Sequence, residues 1–478
     1  MFPKGSACQS ARMKISVRHA ILAAALAAVV FVPACTAPQA RTTSVTLPVS
    51  WRNAAGFPTA SPQGDLSRWW SQFGDARLTS IIGEALAGNK DIASAMSRVR
   101  EAQARKDAQR ASLFPTLDYS GSRNTSAGFD DWTRSGSGTA YSAGLNASWE
   151  LDFFGKNRQS VIAASASAEA ATENLRSAQA SLASEVALAY LDLRALESRL
   201  DVVKRSVKTR EETTQLASWR AQAGEIDALE LRQAESSLES ARSSLSSLEQ
   251  NIGQSRNRLA LLCGRAPGDI SIGSGDVPVP QRRLAIGIPA DAIRQRPDVR
   301  AAGYNWVAAI ASTRSAEAER LPSLRLSGSL GVDTLRSSKL FNPESAAAGI
   351  IAGISGPIFD AGRIRANIAA QTEAQEQALL SYESSILTAL SEVEDALIAC
   401  RRTEERLATL EKAAAAGREA SRLATQRYRT GVIDFLTVLD AQRNDLAQEE
   451  SLINVRADRA AAHVQLYKAL GGGWSAGS

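Results

Sequence analysis

The residues able to do covalent or metal chemistry are few. The 478-residue chain holds two histidines, His19 and His463, and four cysteines, Cys8, Cys35, Cys263 and Cys400. A Ser-His-Asp triad, a histidine-rich metal site or a histidine pair cannot be assembled from that stock unless chains combine. No two cysteines have the CxxC spacing of zinc sites and thiol-disulfide motifs. Cys263, Cys400 and His463 lie in Ala- and Leu-rich helical context, where a cysteine is a small packing residue. Ser135-Gly136-Ser137-Gly138-Thr139 lacks the Gly-Lys-Ser/Thr of a phosphate loop and is expected to be an outward turn between two strands. These residues imply no enzyme, no metal and no cofactor.

The cysteine with a chemical role in view is Cys35. Met13-Lys14-Ile15-Ser16-Val17-Arg18-His19 is a short basic stretch, and Ala20 to Val32 is an unbroken apolar run. That run is too short to span ~30 Å of hydrocarbon but suits the core of a signal peptide. It ends at Val32-Pro33-Ala34-Cys35, and small residues before a cysteine point to signal peptidase II cleavage and lipid attachment at Cys35. A plain secretory peptide is the alternative. Residues 1–35 are read as the leader, with Met13 a possible second start. The leader's four basic residues account for most of the net charge of +5. The remainder is close to neutral, so nucleic acid is not an expected partner. No later run of ~18 apolar residues offers a transmembrane helix.

The chain repeats itself. Leu113-Phe114-Pro115-Thr116-Leu117 returns as Arg320-Leu321-Pro322-Ser323-Leu324. Gly155-Lys156 returns as Gly362-Arg363, Gly224-Glu225-Ile226-Asp227 as Gly431-Val432-Ile433-Asp434, and Cys263-Gly264 as Leu470-Gly471. All pairs share one offset of 207 residues, which chance similarity between Ala-rich helices would not hold. The halves are residues 80–264 and 287–471. An extended segment (36–79) precedes them, a Pro/Gly-rich linker (265–286) joins them and a short tail (472–478) follows.

Each half carries two periodicities. Residues 156–223 contain neither Gly nor Pro and are rich in helix formers; as one helix they would be ~100 Å long. Residues 363–430 repeat the design. Gly224 and Gly431 end these helices, and Asp227 and Asp434 stand where an N-cap should open the next ones, 227–262 and 434–469. Before each long helix the period changes to two. From Tyr141 to Phe153 apolar and polar residues alternate without error, and Leu324, Leu326, Leu330 and Val332 alternate with polar residues likewise. Strands are expected at about 115–128, 139–154, 322–334 and 346–359. Alternation alone also fits a soluble sheet with one wet face. If the strands cross a membrane, four cannot close a barrel, and open edges in lipid would leave backbone groups unpaired. Copies would then have to pool strands.

The pattern resembles the TolC/OprM-type outer-membrane efflux proteins, in their NodT-like lipoprotein branch. The residues that carry the likeness are Trp69-Trp70-Ser71-Gln72-Phe73-Gly74-Asp75, Arg296-Pro297-Asp298-Val299 and Leu321-Pro322-Ser323-Leu324. They continue through Gly356-Pro357-Ile358-Phe359-Asp360-Ala361-Gly362-Arg363, Arg427-Tyr428-Arg429-Thr430-Gly431, Leu439-Asp440-Ala441-Gln442 and the ending Leu466 to Trp474. The resemblance implies an α+β membrane protein: a homotrimer with a 12-stranded β-barrel in the outer membrane and a long α-helical barrel in the periplasm. It implies a periplasmic adaptor and an inner-membrane resistance-nodulation-division transporter as partners, with outer-membrane lipid around the barrel.

It further implies site residues. Leu436 and Asp440, four apart on one helix face, match the periplasmic constriction, and Tyr428 and Arg429 match a latch between coiled coils. Gly224, Asp227, Gly431 and Asp434 mark the tip that would meet the adaptor. Leu229 and Gln233 hold the gate positions in the first half, so only the second contributes a carboxylate. A type I protein-secretion duct and a periplasmic coiled-coil scaffold are the competing readings.

Overall fold

The computed structural model describes residues 43–54, 57, 66–130, 133–280, 289–337, 342 and 346–474. Cys35 and the rest of the leader lie outside the described residues. The compact body begins at Val45.

A 3-10 helix, Leu66–Phe73, leads into α1 (Ala76–Gly88) and α2 (Lys90–Ala111). The hairpin β1 (Thr116–Asp130) and β2 (Thr133–Leu151) follows, then α3 (Lys156–Gln222) and α4 (Ala228–Leu262). The second half has a short α5 (Pro289–Gln295), then α6 (Pro297–Ala318), β3 (Ser323–Thr334), β4 (Ala346–Ser355), α7 (Arg363–Arg429) and α8 (Phe435–Ala469). The four strands form one antiparallel sheet in the order β1-β2-β3-β4. The duplication is a backbone fact as well as a textual one. Gly155 and Gly362, Gly224 and Gly431, and Gly264 and Gly471 all adopt positive φ between 69° and 86°.

Three expectations need correction. Ser135–Thr139 is not a turn: it belongs to β2, and pairing with β1 continues to Asp130↔Thr133, with a register shift at Gly128/Phe129. Gly, Ser and Thr look turn-like in isolation, but cross-strand partners such as the Thr125 and Thr139 hydroxyls, 3.3 Å apart, draw them into the ladder. Residues 76–79, assigned to an extended segment, open α1. Asp75 caps it, its carboxylate accepting from the backbone N–H of Arg77 and Leu78 at 2.8 and 3.0 Å. Lastly, β4 stops at Ser355, short of the Gly356-Pro357 break.

A cluster of buried aromatic residues anchors the largest helical core. Trp69 stacks on Tyr467 with centroids 5.3 Å apart and meets Trp70 edge-on at 5.6 Å. Leu78, Ile81, Ile82, Tyr190 and Leu259 complete that core, all fully buried. A polar thread crosses it. Tyr190 donates from its hydroxyl to Asp75 at 2.7 Å, and Arg194 donates to that hydroxyl and to Glu197 at 2.7 and 2.8 Å. Arg194 also donates to the carbonyl of Gly273, which fastens the linker to α3. The start of the linker is pinned there, with Ile270 and Ile272 buried. At Gly264 the chain passes so close to the Gly88 carbonyl that a Cβ would sit 2.2 Å from that oxygen.

Away from this belt the long helices pair, α3 with α4 and α7 with α8, through alanines interleaved with Val and Leu such as Val203, Leu238, Leu407 and Leu452. Ala217, Ala234 and Ala424 are buried beside Tyr428 and Phe435. Among the described residues no helix is long and apolar enough to cross a membrane.

Candidate channel face and gate

The sheet register gathers the alternation of all four strands onto common faces. Tyr119 pairs with Leu145, Leu145 with Leu330, and Leu330 with Ala348; one step along, Leu326 pairs with Trp149 and Ala352. Side chains directly opposite across a ladder share a face, so this face is apolar from edge to edge. In the single chain it is uncovered: Tyr119 is 90% exposed and Ile350 82%. The opposite face holds Ser120, Ser122, Asn146, Ser327 and Ser329, with Ile351 an apolar exception. It is stitched by Ser122–Ser142 at 2.8 Å, Asn146 donating to Ser120 at 2.9 Å, and Arg325 with Glu150 at 3.5 Å.

Beneath the sheet each long helix starts from a left-handed glycine and receives a carboxylate on its free amides. Asp152 accepts from the N–H of Asn157 and Arg158 at 2.9 and 2.8 Å; Asp360 accepts from Gly362 and Ile364 at 3.0 and 2.8 Å. Those amides hold the Asp360 carboxyl below its ordinary range.

At the far end the two turns share a backbone solution. Glu225 donates to Arg220 O at 2.9 Å and Gly224 to Ala221 O at 3.1 Å; Val432 and Gly431 repeat this to Arg427 and Tyr428 at 3.0 and 2.9 Å. This is the double closure of a helix end that requires a left-handed residue, here Gly224 and Gly431, each with φ 74°. The next helices differ. Asp434 caps α8, accepting from Thr437 N–H at 2.9 Å, whereas Asp227 occupies the N-cap position of α4 without a side-chain bond.

Tyr428 and Arg429 reach across to the first repeat. Tyr428 is buried and donates from its hydroxyl to Glu230 at 2.9 Å. The Arg220 guanidinium lies 5.1 Å from the ring centroid and donates to the Tyr428 carbonyl at 3.4 Å. Burial, then the bond to Glu230, pushes the Tyr428 phenol up to about 12, so it stays a donor at neutral pH. Arg429 approaches Glu212 at 3.4 Å, both partners more than half exposed, a pair worth little alone. Leu436 is 51% exposed and Asp440 lies on the same helix face, its carboxylate 3.9 Å from Arg443. Arg220, Glu230, Glu212 and Arg443 are absent from the sequence reading. Arg220 was findable, because it stands 207 residues before Arg427. Glu230 and Glu212 were not, since nothing in the sequence pairs them with residues about 200 positions away.

A family model described as outer membrane efflux protein matches residues 81–265 and again 288–472, two spans whose starts are one repeat length apart. The chain belongs to the outer membrane efflux protein family. The toluene efflux pump outer membrane protein TtgF of Pseudomonas putida is 32% identical over 421 residues, 87% of each chain. The pyoverdine export outer membrane protein OpmQ of the same species is 32% identical over 458 residues, 93% of this chain and 96% of its own. The solved outer-membrane channel OprN is similar with a TM-score of 0.86 at 31% identity, over 92% of this chain and all of that one. This efflux protein is accordingly an outer-membrane channel whose helices extend into the periplasm, and the apolar sheet face is its lipid-facing surface.

The tip turn at Gly431 should respond to acid through Asp434. Contact with Thr437 lowers the Asp434 carboxyl below its ordinary range. A lowered carboxylate contributes fully above its unfolded pKa and is lost as pH falls through the folded value. Hydrogen-exchange protection at the start of α8 should therefore fall on acidification below the ordinary carboxylate range. Asp434→Ala should remove that pH dependence.

Proposed function

We propose that the chain is the exit duct of a tripartite efflux pump. It passively conducts small molecules from a periplasmic adaptor and an inner-membrane resistance-nodulation-division transporter to the exterior. The observation that carries this reading is the sheet itself: an apolar face with two unpaired edges, β1 and β4, above helices of roughly 100 Å. In lipid those edges must pair, and a homotrimer closes them into 12 strands. Exposed Phe153, Ile358 and Phe359 at the helix-facing end fit the girdle such barrels carry at the interface.

The duct does no covalent chemistry in this reading. Burial raises the Cys263 thiol and pushes Cys400 up to about 12, so neither is a ready nucleophile. TtgF is named for toluene and OpmQ for pyoverdine. Such different cargo on similar ducts supports the inner-membrane pump as the place where substrate is chosen.

Leu436 and Asp440 form the constriction, three copies of each around the axis, and Tyr428 with Arg429 holds it shut through Glu230, Glu212 and Arg220. An apolar ring resists wetting and a carboxylate ring favours cations. In planar-bilayer recordings Leu436→Ala, Asp440→Ala and Tyr428→Phe should each raise resting conductance, and Asp440→Asn should lower cation preference. An unchanged Leu436→Ala/Asp440→Asn double variant would move the constriction elsewhere.

The turns at Gly224 and Gly431 contact the adaptor. Photocrosslinkers at Ala223 or Thr430 should capture it, and capture only from the sheet end would reverse this orientation.

Cys35 carries the lipid. The mature N-terminal peptide should begin at Cys35 with an acyl mass increment, and an unmodified peptide starting elsewhere removes that assignment while leaving the barrel intact.

A further inference from the structure

Just above Leu436, α3, α4 and α8 enclose a trough of about 570 Å³, the size of a small-molecule site. Its lining includes Arg210, Arg232 and Arg443 and no acidic residue. Arg232 pairs with Glu235 at 2.8 Å, and Arg443 has Asp440 at 3.9 Å. Arg210 is different. It is 7% exposed, and it donates only to Ser206 at 3.3 Å and to the hydroxyl and carbonyl of Ser237. It makes no ion pair among the described residues.

The other buried arginines are compensated: Arg194 has Glu197, and Arg296 has Asp298 and Glu392 at 2.7 and 2.6 Å. The neighbouring cavity between α3, α7 and α8 is also balanced, with Arg205 and Arg418 facing Asp445 and Glu449. A buried charge without a counterion is costly. Burial, then the nearby Arg443, lowers the Arg210 pKa, the signature of a cation lacking an anion. The second repeat has no copy of this feature, because Gly417 stands 207 residues after Arg210.

We infer that this trough binds an organic anion, its acidic head against Arg210 and Arg443 and its apolar body along Leu436 and Leu446. Being specific to the first repeat, the site occurs once per chain. That it opens on the conduit rests on the gate assignment, since Leu436 lines both; the binding does not. An anion entering the duct would then be held beside the carboxylate ring before passing outward.

The test is equilibrium dialysis of the purified full-length protein in amphipol against 2-naphthalenesulfonate, with neutral 2-naphthylmethanol as control. The sulfonate should bind saturably at one site per chain, and the alcohol at least about tenfold more weakly, because a charge-assisted contact is lost. Arg210→Gln and Arg443→Gln should each weaken the sulfonate by roughly ten- to a hundredfold, and Arg232→Gln by less. Arg210→Gln should keep or raise the thermal midpoint, since it removes an uncompensated charge. Should that variant not fold, the exposed Arg443 position decides. Equal binding of sulfonate and alcohol, or variants that bind as wild type, would overturn the site. Bilayer recordings of the same preparation separate the two claims: conductance without sulfonate binding sinks the trough alone, and binding without conductance sinks the duct.

Discussion

The rest of the molecule depends on unpaired backbone at the two edges of the sheet. β1 and β4 each present a row of amides and carbonyls with no strand partner among the described residues, beside a face too apolar to be left in water. In hydrocarbon neither can be hydrated, so pairing with another copy is the remaining route. That requirement sets where the sheet can live and why single chains do not suffice.

From that fixed end the helices transmit position to the tip. The belt of Trp69, Tyr190 and Tyr467 and the thread from Asp75 through Tyr190 to Arg194 bind the first helical segment, the linker and the long helix into one block. Below it the coils meet through alanines interleaved with Val and Leu and are held laterally at few points. Tyr428 is the most buried of these, while Arg429 and Glu212 stay largely in solvent. Toward the tip the two repeats share a smaller apolar cluster around Ala217, Tyr428, Phe435 and Val438, with a few polar contacts beside it. A gate has to be drawn from such a region, because motion needs contacts that can be exchanged for water at modest cost.

Much of this was legible in the sequence for local reasons. Strand alternation from Tyr141 to Phe153, the absence of breakers from 156 to 223 and the glycine pairs are short-range signals, and the elements follow them closely. Misreadings arose where a partner distant in sequence decides the outcome. Residues 135–139 have turn-like composition, yet β1 supplies the ladder that makes them strand. The helix at 76–88 is the exception, since its cap Asp75 is a local signal, although its carboxylate also receives the distant Tyr190. The proposed gate pair Leu436 and Asp440 could be placed on one helix face from spacing, but its surroundings could not. Arg210, Glu212 and Glu230 come from the other repeat, and none of them stands at the 207-residue counterpart of Leu436, Asp440, Tyr428 or Arg429.

The caps beneath the sheet show what duplication preserves. Gly155 and Gly362 are true counterparts, but Asp152 and Asp360 are not: the residue 207 positions after Asp152 is Phe359, and the one 207 before Asp360 is Phe153. The task of neutralising the helix start has moved by one residue between the copies, and a phenylalanine has moved the opposite way. The two halves are thus interlocked descendants of one module, no longer interchangeable parts. A graft of one junction's aspartate position into the other would set a carboxylate where an aromatic ring belongs. Each half has drifted only as far as its own backbone allowed, and the chain has lost the freedom to be rebuilt from two identical copies.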